Sequence, residues 1–139
     1  MATYKLGDMR RWASAQKEKQ LALVQHTVTI LGDIAQTPVS RGGRMPVLTG
    51  DLRRSFRTRR NGRFAGWGED AHYKLVAVIQ VGDKLQFSWG NQWVQYAMAQ
   101  NYGYTVNGIA YPGKHWIEFT AAHFQSVTER VAKMLGAST

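Results

Sequence analysis

The feature that most constrains this chain is a long helical pattern at its start. Asp8 offers a cap for a helix opening at Met9, and Thr37-Pro38 stops it, because a residue before proline is pushed out of the helical region. In the second half Leu21, Val24, Val28, Leu31 and Ala35 fall on one face, and Leu23, Ile30 and Ile34 widen the stripe to about half the circumference. The first half, RRWASAQKEKQ, is mostly polar. A helix this long with a polar start is expected to project beyond its own domain at one end, over residues 1–20. Gly32 weakens it near the C-terminus by ~1 kcal/mol relative to alanine.

Shorter signals follow. SRGGR reads as a loop, and Thr49 is a candidate N-cap for a helical turn over Gly50 to Ser55 that buries Leu52 and Phe56. RTRRNGRFAGWGED, with three glycines and little periodicity, reads as a flexible basic loop over 57–72 or the tip of a long hairpin. Leu75 to Val81 (LVAVIQV) is a β-branched apolar run, and Lys84 to Trp89 (KLQFSW) alternates. Gly82-Asp83 between them predicts a tight β-hairpin, with Leu85, Phe87 and Trp89 on one face.

Gln92 to Gln100 predicts a short helix with Trp93, Ala97 and Met98 or Tyr96 on its apolar side, ended by Asn101-Tyr102-Gly103. YTVNGIAYPG reads as a loop or a small hairpin closed on Asn107-Gly108. A last helix is expected from Lys114 to Leu135, with Trp116, Phe119, His123, Val127, Val131 and Met134 on its inner face and Gly136 as the stop. The expected fold is therefore one α+β domain over 1–139. It has a long N-terminal helix, an antiparallel sheet built on a β-hairpin, and a short helix and a C-terminal helix packed on the sheet.

Composition narrows the function. Of 139 residues 44% are hydrophobic and 19% charged, enough apolar material for one packed core. No apolar run suits a membrane span, and MATYKLGDMRRW lacks the apolar region of a secretory signal. The absence of cysteine removes disulfides, zinc–thiolate sites and thiol nucleophiles. The formal charge of +9 is concentrated: Arg41, Arg44, Arg53, Arg54, Arg57, Arg59, Arg60 and Arg63 face only Asp51 within their window. Arginine suits bidentate contact with phosphate or carboxylate, so this segment is the candidate contact for DNA or for an acidic protein surface. A solvated arm serving solubility is the bland alternative.

Catalytic patterns are missing from the sequence. His115 and His123 are eight residues apart, too far for the i, i+4 pair that binds one metal, and His26 and His72 stand alone. The one adjacent acidic pair, Glu69-Asp70, is thin material for a magnesium site. No nucleophile elbow or phosphate-cradling glycine loop occurs, so neither a catalytic residue, a metal site, a cofactor nor a small-molecule substrate is expected. Among the aromatics, Trp89, Trp93 and Trp116 match core periodicity, whereas Tyr102, Tyr104 and Tyr111 are candidates for a subunit interface.

The segment Met45-Pro46-Val47-Leu48-Thr49-Gly50-Asp51-Leu52-Arg53-Arg54-Ser55 resembles the P-x-x-T-G-x-L-x-x-S segment of the neck proteins of long-tailed double-stranded DNA bacteriophages, the head–tail joining or minor tail morphogenesis proteins. In that family an amphipathic helix ends just before the motif. A basic segment, a β-hairpin, a Y-A-x-x-x-x-x-G element and a terminal helix opened by an aromatic follow. Here Tyr96, Ala97 and Gly103 supply the second element and Trp116 opens the helix. The motif positions are thus Pro46, Thr49, Gly50, Leu52, Ser55, Tyr96, Ala97 and Gly103. The chain departs at Gln100-Asn101-Tyr102-Gly103-Tyr104, where family members often carry an acid, and in its arginine density.

The resemblance implies a structural virion protein made in a bacterial cytoplasm. It would form a homo-oligomeric ring, a hexamer or else a dodecamer, at the head–tail junction. Its neighbours would be a head-completion ring, a tail-terminator ring and genomic DNA in the lumen, with no membrane and no small-molecule partner. A basic DNA-binding module using Arg41–Arg63 and a tail terminator of related architecture are the alternatives.

Overall fold

The computed structural model describes residues 6–46, 50–90 and 97–136. Helix α1 spans Leu6–Gln36, 31 residues, or ~46 Å at the usual rise per residue. Residues 7–20 are exposed apart from half-buried Gln16, so the polar half stands clear of the core as its composition implies. The second half buries Val28 and Ala35 and sets Leu21 and Val24 against the core. Asp8 does not cap this helix. The helix starts earlier, at Leu6, and Asp8 lies in its first turn, paired with Arg11 three residues on. An acid there still complements the helix dipole.

Beyond Pro38 a 3₁₀ turn over Val39–Arg41 folds the chain back, so that Pro38 and Met45 form a parallel bridge and Met45 is fully buried. Helix α2 (Asp51–Arg54) has Gly50 at its N-cap and buries Leu52; Phe56 follows, also buried. The cap expected from Thr49 lies outside the described residues.

The sheet has the order β2-β1-β3 and is antiparallel throughout, with β1 at Arg57–Arg60, β2 at Arg63–Trp67 and β3 at Leu85–Ser88. Of the two readings of residues 57–70, loop or hairpin, the structure takes the hairpin. Asn61 and Gly62 link its strands with φ of 53° and 80°, the double positive φ that a two-residue turn of the right twist requires.

The hairpin expected over Leu75–Trp89 does not form. Residues Ala71–Val76 are helix α3, and Ala71, His72, Leu75 and Ile79 are buried at helical steps, while Ala77 and Val81, which a strand would place beside them, are exposed. A short apolar run fits strand and helix equally by hydropathy, and packing decided this one. Gly82-Asp83 still leads into β3, but β3 pairs with β1 instead.

Helix α4 (Ala97–Tyr102) runs directly into a second hairpin, β4 (Gly103–Val106) and β5 (Ile109–Pro112). Of the residues expected on the apolar side of the preceding helix, Trp93 and Tyr96 lie outside the described set. The expected terminal helix is broken at His123 into α5 (Trp116–Ala122) and α6 (Phe124–Gly136). Both pack against α1, while α3 is the helix laid across β1 and β2.

Two apolar centres hold these elements together. One joins Met45, Leu52 and Trp116 with Trp89 against it; the other joins Val28, Leu75 and Ile79 with Leu85 and Phe87. Phe56 bridges them, stacked on Trp89 at 4.6 Å and edge-on to Phe87 at 5.1 Å. Three positions expected on the inner face fall short: Phe119 and His123 are only half-buried and Met134 is 54% exposed, whereas Trp116, Val127 and Val131 are buried.

Candidate functional site

The eight clustered arginines divide into two groups of four. Arg53 donates from Nε to the Gln36 carbonyl at 2.8 Å and pairs with Glu69 at 3.1 Å. Arg54 pairs with Asp51 at 2.6 Å, Arg60 with Asp83 at 2.5 Å, and Arg44 lies over the Phe119 ring at 4.8 Å. Folding thus brings in two acids, Glu69 and Asp83, that the linear window omits. Arg41, Arg57, Arg59 and Arg63 make no ion pair among the described residues.

Asp83 organises the base of this basic hairpin. Its carboxylate accepts from Arg60 Nε, from the Asn61 amide at 3.0 Å and from the Gln80 backbone N–H at 2.7 Å. Those donors hold its pKa down to about 2. Asn61 in turn accepts the Lys84 N–H at 2.9 Å, locking the turn to the start of β3.

The outer face of the sheet follows from a bulge. Along β1 the partners on β2 are Arg57↔Trp67, Thr58↔Gly66 and Arg59↔Phe64, with the register shift between Thr58 and Arg59. Ala65 is the extra residue and turns inward to the core, as does Gly66. A Cβ on Gly66 would sit 2.7 Å from the Lys74 Cβ and 3.0 Å from the Ala71 carbonyl, so glycine is what lets α3 lie flat on the sheet. Phe64 and Trp67, three apart in sequence, consequently share the outer face, 67% and 54% exposed, beside Arg57 and Arg59. Gln86 and Ser88 of β3 complete it.

Two of the motif residues, Leu52 and Ser55, are built into the core. Leu52 is 2% exposed, and the buried Ser55 hydroxyl donates to the Leu52 carbonyl at 2.6 Å and accepts the Gly90 N–H at 2.8 Å. Pro46 is half-buried and Gly50 has a φ of 84°. Ala97 opens α4 and Gly103 opens β4; Thr49 and Tyr96 fall outside the described residues. Sequence reasoning missed the residue that ties this region to α1. Buried Gln36 donates to the carbonyls of Arg53 and Glu69 at 2.9 and 3.0 Å and accepts the Trp89 indole N–H at 2.9 Å. No sequence signal separates it from any other glutamine at a helix end.

A second polar knot anchors the outlying hairpin. The buried Asn101 amide donates to both Glu118 carboxylate oxygens at 2.9 Å, and its side-chain oxygen accepts the Ile117 N–H at 3.2 Å. Burial pushes Glu118 up, but hydrogen bonds from its own N–H and Asn101, with His115 nearby, leave its pKa lowered overall. An acid at position 101 would face Glu118 instead. Beside this knot Tyr102 and Tyr111 are 59% and 43% exposed, and Tyr104 lies on the same hairpin.

A polar cleft of about 190 Å³ between α1 and α3 is lined by Asp33, Arg41, Arg53, Glu69, His72 and Tyr73, among others. Three of its groups are bound to one another. His72 Nε2 and the Tyr73 hydroxyl meet Asp33 Oδ1 at 2.8 and 2.6 Å, which raises the Tyr73 pKa. Among the described residues no group of three or more histidines and acids could hold a metal ion, and no helix is long and apolar enough to cross a membrane. Compared with protein-family models, curated proteins and solved structures, the chain matches none.

Proposed function

We propose that this protein is a structural subunit of a tailed-phage particle, forming a ring in the neck that joins the DNA-filled head to the tail. The observation that carries the reading is surface. The chain exposes 9689 Å², whereas a compact monomer of its mass exposes about 7300 Å². Among the described residues, apolar side chains are exposed on parts that stand off the core: Met9 and Trp12 in the first half of α1, and Val106, Ile109 and Tyr111 on the β4–β5 hairpin. Such apolar projections fit subunits that finish their burial in an assembly. The resemblance around Pro46–Ser55 supplies the kind of assembly, and the four unpaired arginines suit an acidic neighbouring ring or DNA in a lumen.

Quantitative mass spectrometry of purified particles tests this reading. The expected result is a fixed, low copy number per virion, with filled but tailless heads when the gene is deleted. Absence of the protein from intact tailed particles overturns it. Replacing Arg41, Arg57, Arg59 and Arg63 with glutamine is expected to give a folded protein that supports head filling but not stable tail joining, because none of the four makes an ion pair among the described residues.

A further inference from the structure

The inserted residue in β2 determines what the open side of the sheet presents. In a regular strand Phe64 and Trp67, three residues apart, would point to opposite faces, since strand side chains alternate. With it, both rings lie on the solvent side, each directly opposite an arginine of the central strand. Arg57 and Arg59 have no carboxylate partner among the described residues, and the face they share with Phe64, Trp67, Gln86 and Ser88 contains no acid. At the tip of the hairpin an open cleft of about 630 Å³ is lined by Arg60, Asn61, Arg63, Phe64, Ala65 and Val78; inward Ala65 and Val78 set it toward the α3 side, outside this face.

We propose that this face binds single-stranded nucleic acid, with unpaired bases stacked on Phe64 and Trp67 and the backbone phosphates held by Arg57 and Arg59. Stacking on exposed rings of an open sheet, flanked by a cationic track, is the physical basis of sequence-tolerant single-strand binding. Gln86 and Ser88 add hydrogen-bonding groups at the level of the base edges. A duplex is a poor occupant, because its bases already stack on one another and the two rings find no free base. An acidic protein surface would use the same rings and arginines, since both residue types are enriched at protein interfaces, and the polyglutamate arm of the test separates it. The inference shares Arg57 and Arg59 with the neck reading but rests on the rings of Phe64 and Trp67, so the ring variants test it separately.

The test is fluorescence anisotropy of a labelled oligodeoxythymidylate with the full chain, at two or more salt concentrations. Trp67→Ala and Phe64→Ala, both at exposed positions, are each expected to weaken binding by about tenfold or more. Trp67→Phe, which keeps a ring, restores most of it. Arg57→Gln with Arg59→Gln lowers the slope of log affinity against log salt by about 1.4, at roughly 0.7 per phosphate contact. Circular dichroism checks that each variant is folded. Loss of less than about twofold in both ring variants overturns the proposal, as does equal competition by duplex DNA. Equal competition by polyglutamate, lost in the same ring variants, assigns the face to an acidic protein and overturns it too.

Discussion

The hairpins β1–β2 and β4–β5 close on the same dipeptide, Asn-Gly, with both turn residues at positive φ in each. Around the turns they share little. The first is backed by α3, extended by β3 and fastened through Asp83; the second is a two-stranded ribbon whose β5 is exposed along its whole length. An isolated two-stranded ribbon is marginal in water. A turn sequence thus fixes how strands meet, whereas the residues behind the strands decide whether the ribbon belongs to the core or is offered to a neighbour. Thr58, Gly66 and Phe87 face inward on the first. Among the described residues nothing comparable backs the β5 residues Ile109 to Pro112, and Ile109 is 57% exposed.

The strongest way to break this contrast is to remove the support behind β1–β2. Phe56→Ala deletes a fully buried ring that touches Trp89, Phe87 and His72, and is expected to cost about 3–5 kcal/mol in chemical denaturation. Ile109→Ala on β5 should stay within about 0.5 kcal/mol for the isolated subunit. Comparable losses at the two sites would mean that the second hairpin is also part of the cooperative core.

Gly66→Ala is the next in size. The added methyl would crowd the Lys74 Cβ at 2.7 Å, and moving α3 off the sheet is expected to cost about 1–3 kcal/mol. The same shift disturbs the bulge, so Trp67 fluorescence should change along with the denaturation midpoint. A neutral substitution would show that α3 is loosely seated.

These two positions also mark what the sequence could and could not tell. The α+β class, the long helix ending at Gln36 and the buried Leu52, Val28 and Trp116 are legible, because periodicity and proline report them directly. The Asn107-Gly108 hairpin is legible from its dipeptide. Asn61-Gly62 carries the same signal, but its arginine-rich flanks hide the strand pattern. The helical state of Leu75 is invisible because LVAVIQV satisfies two geometries, and only the close approach of α3 to Gly66 chooses between them. The outer aromatic face was out of reach for a similar reason, since a bulge cannot be read from one sequence. Of the site residues, the arginines were found as a set. Their division into paired and unpaired groups needs Glu69 and Asp83, which arrive from distant segments.

A finer comparison uses the turns themselves. At both Gly62 and Gly108 a new Cβ meets nothing within 4 Å, so alanine there costs only the strain of positive φ, about 1 kcal/mol. Where that strain appears should differ. Gly62→Ala is expected to lower global stability by that amount. Gly108→Ala should leave the global midpoint nearly unchanged and speed amide exchange only between Gly103 and Pro112, since this ribbon can open locally. Equal shifts of the global midpoint would erase the distinction.

The smallest effect concerns acid. Asp83 binds the first turn through Arg60, Asn61 and the Gln80 N–H, and among the described residues no carboxylate bonds Asn107 in the second. Its pKa in the folded chain is lowered from 3.8 to about 2. A carboxyl that is more acidic when folded stabilises the fold above its unfolded pKa and loses that contribution as pH falls through the folded value. Stability should therefore decline between about pH 4 and pH 2 by a part that Asp83→Asn removes. The measurement is the denaturation midpoint of both proteins across that range. The wild-type curve should approach the variant's from above as pH falls, and amide exchange at Asn61 and Gly62 should quicken over the same interval. A constant gap between the curves would mean that Asp83 does not titrate against the fold. The first hairpin would then be held by packing alone, and the charge contrast between the two turns would carry no energetic weight.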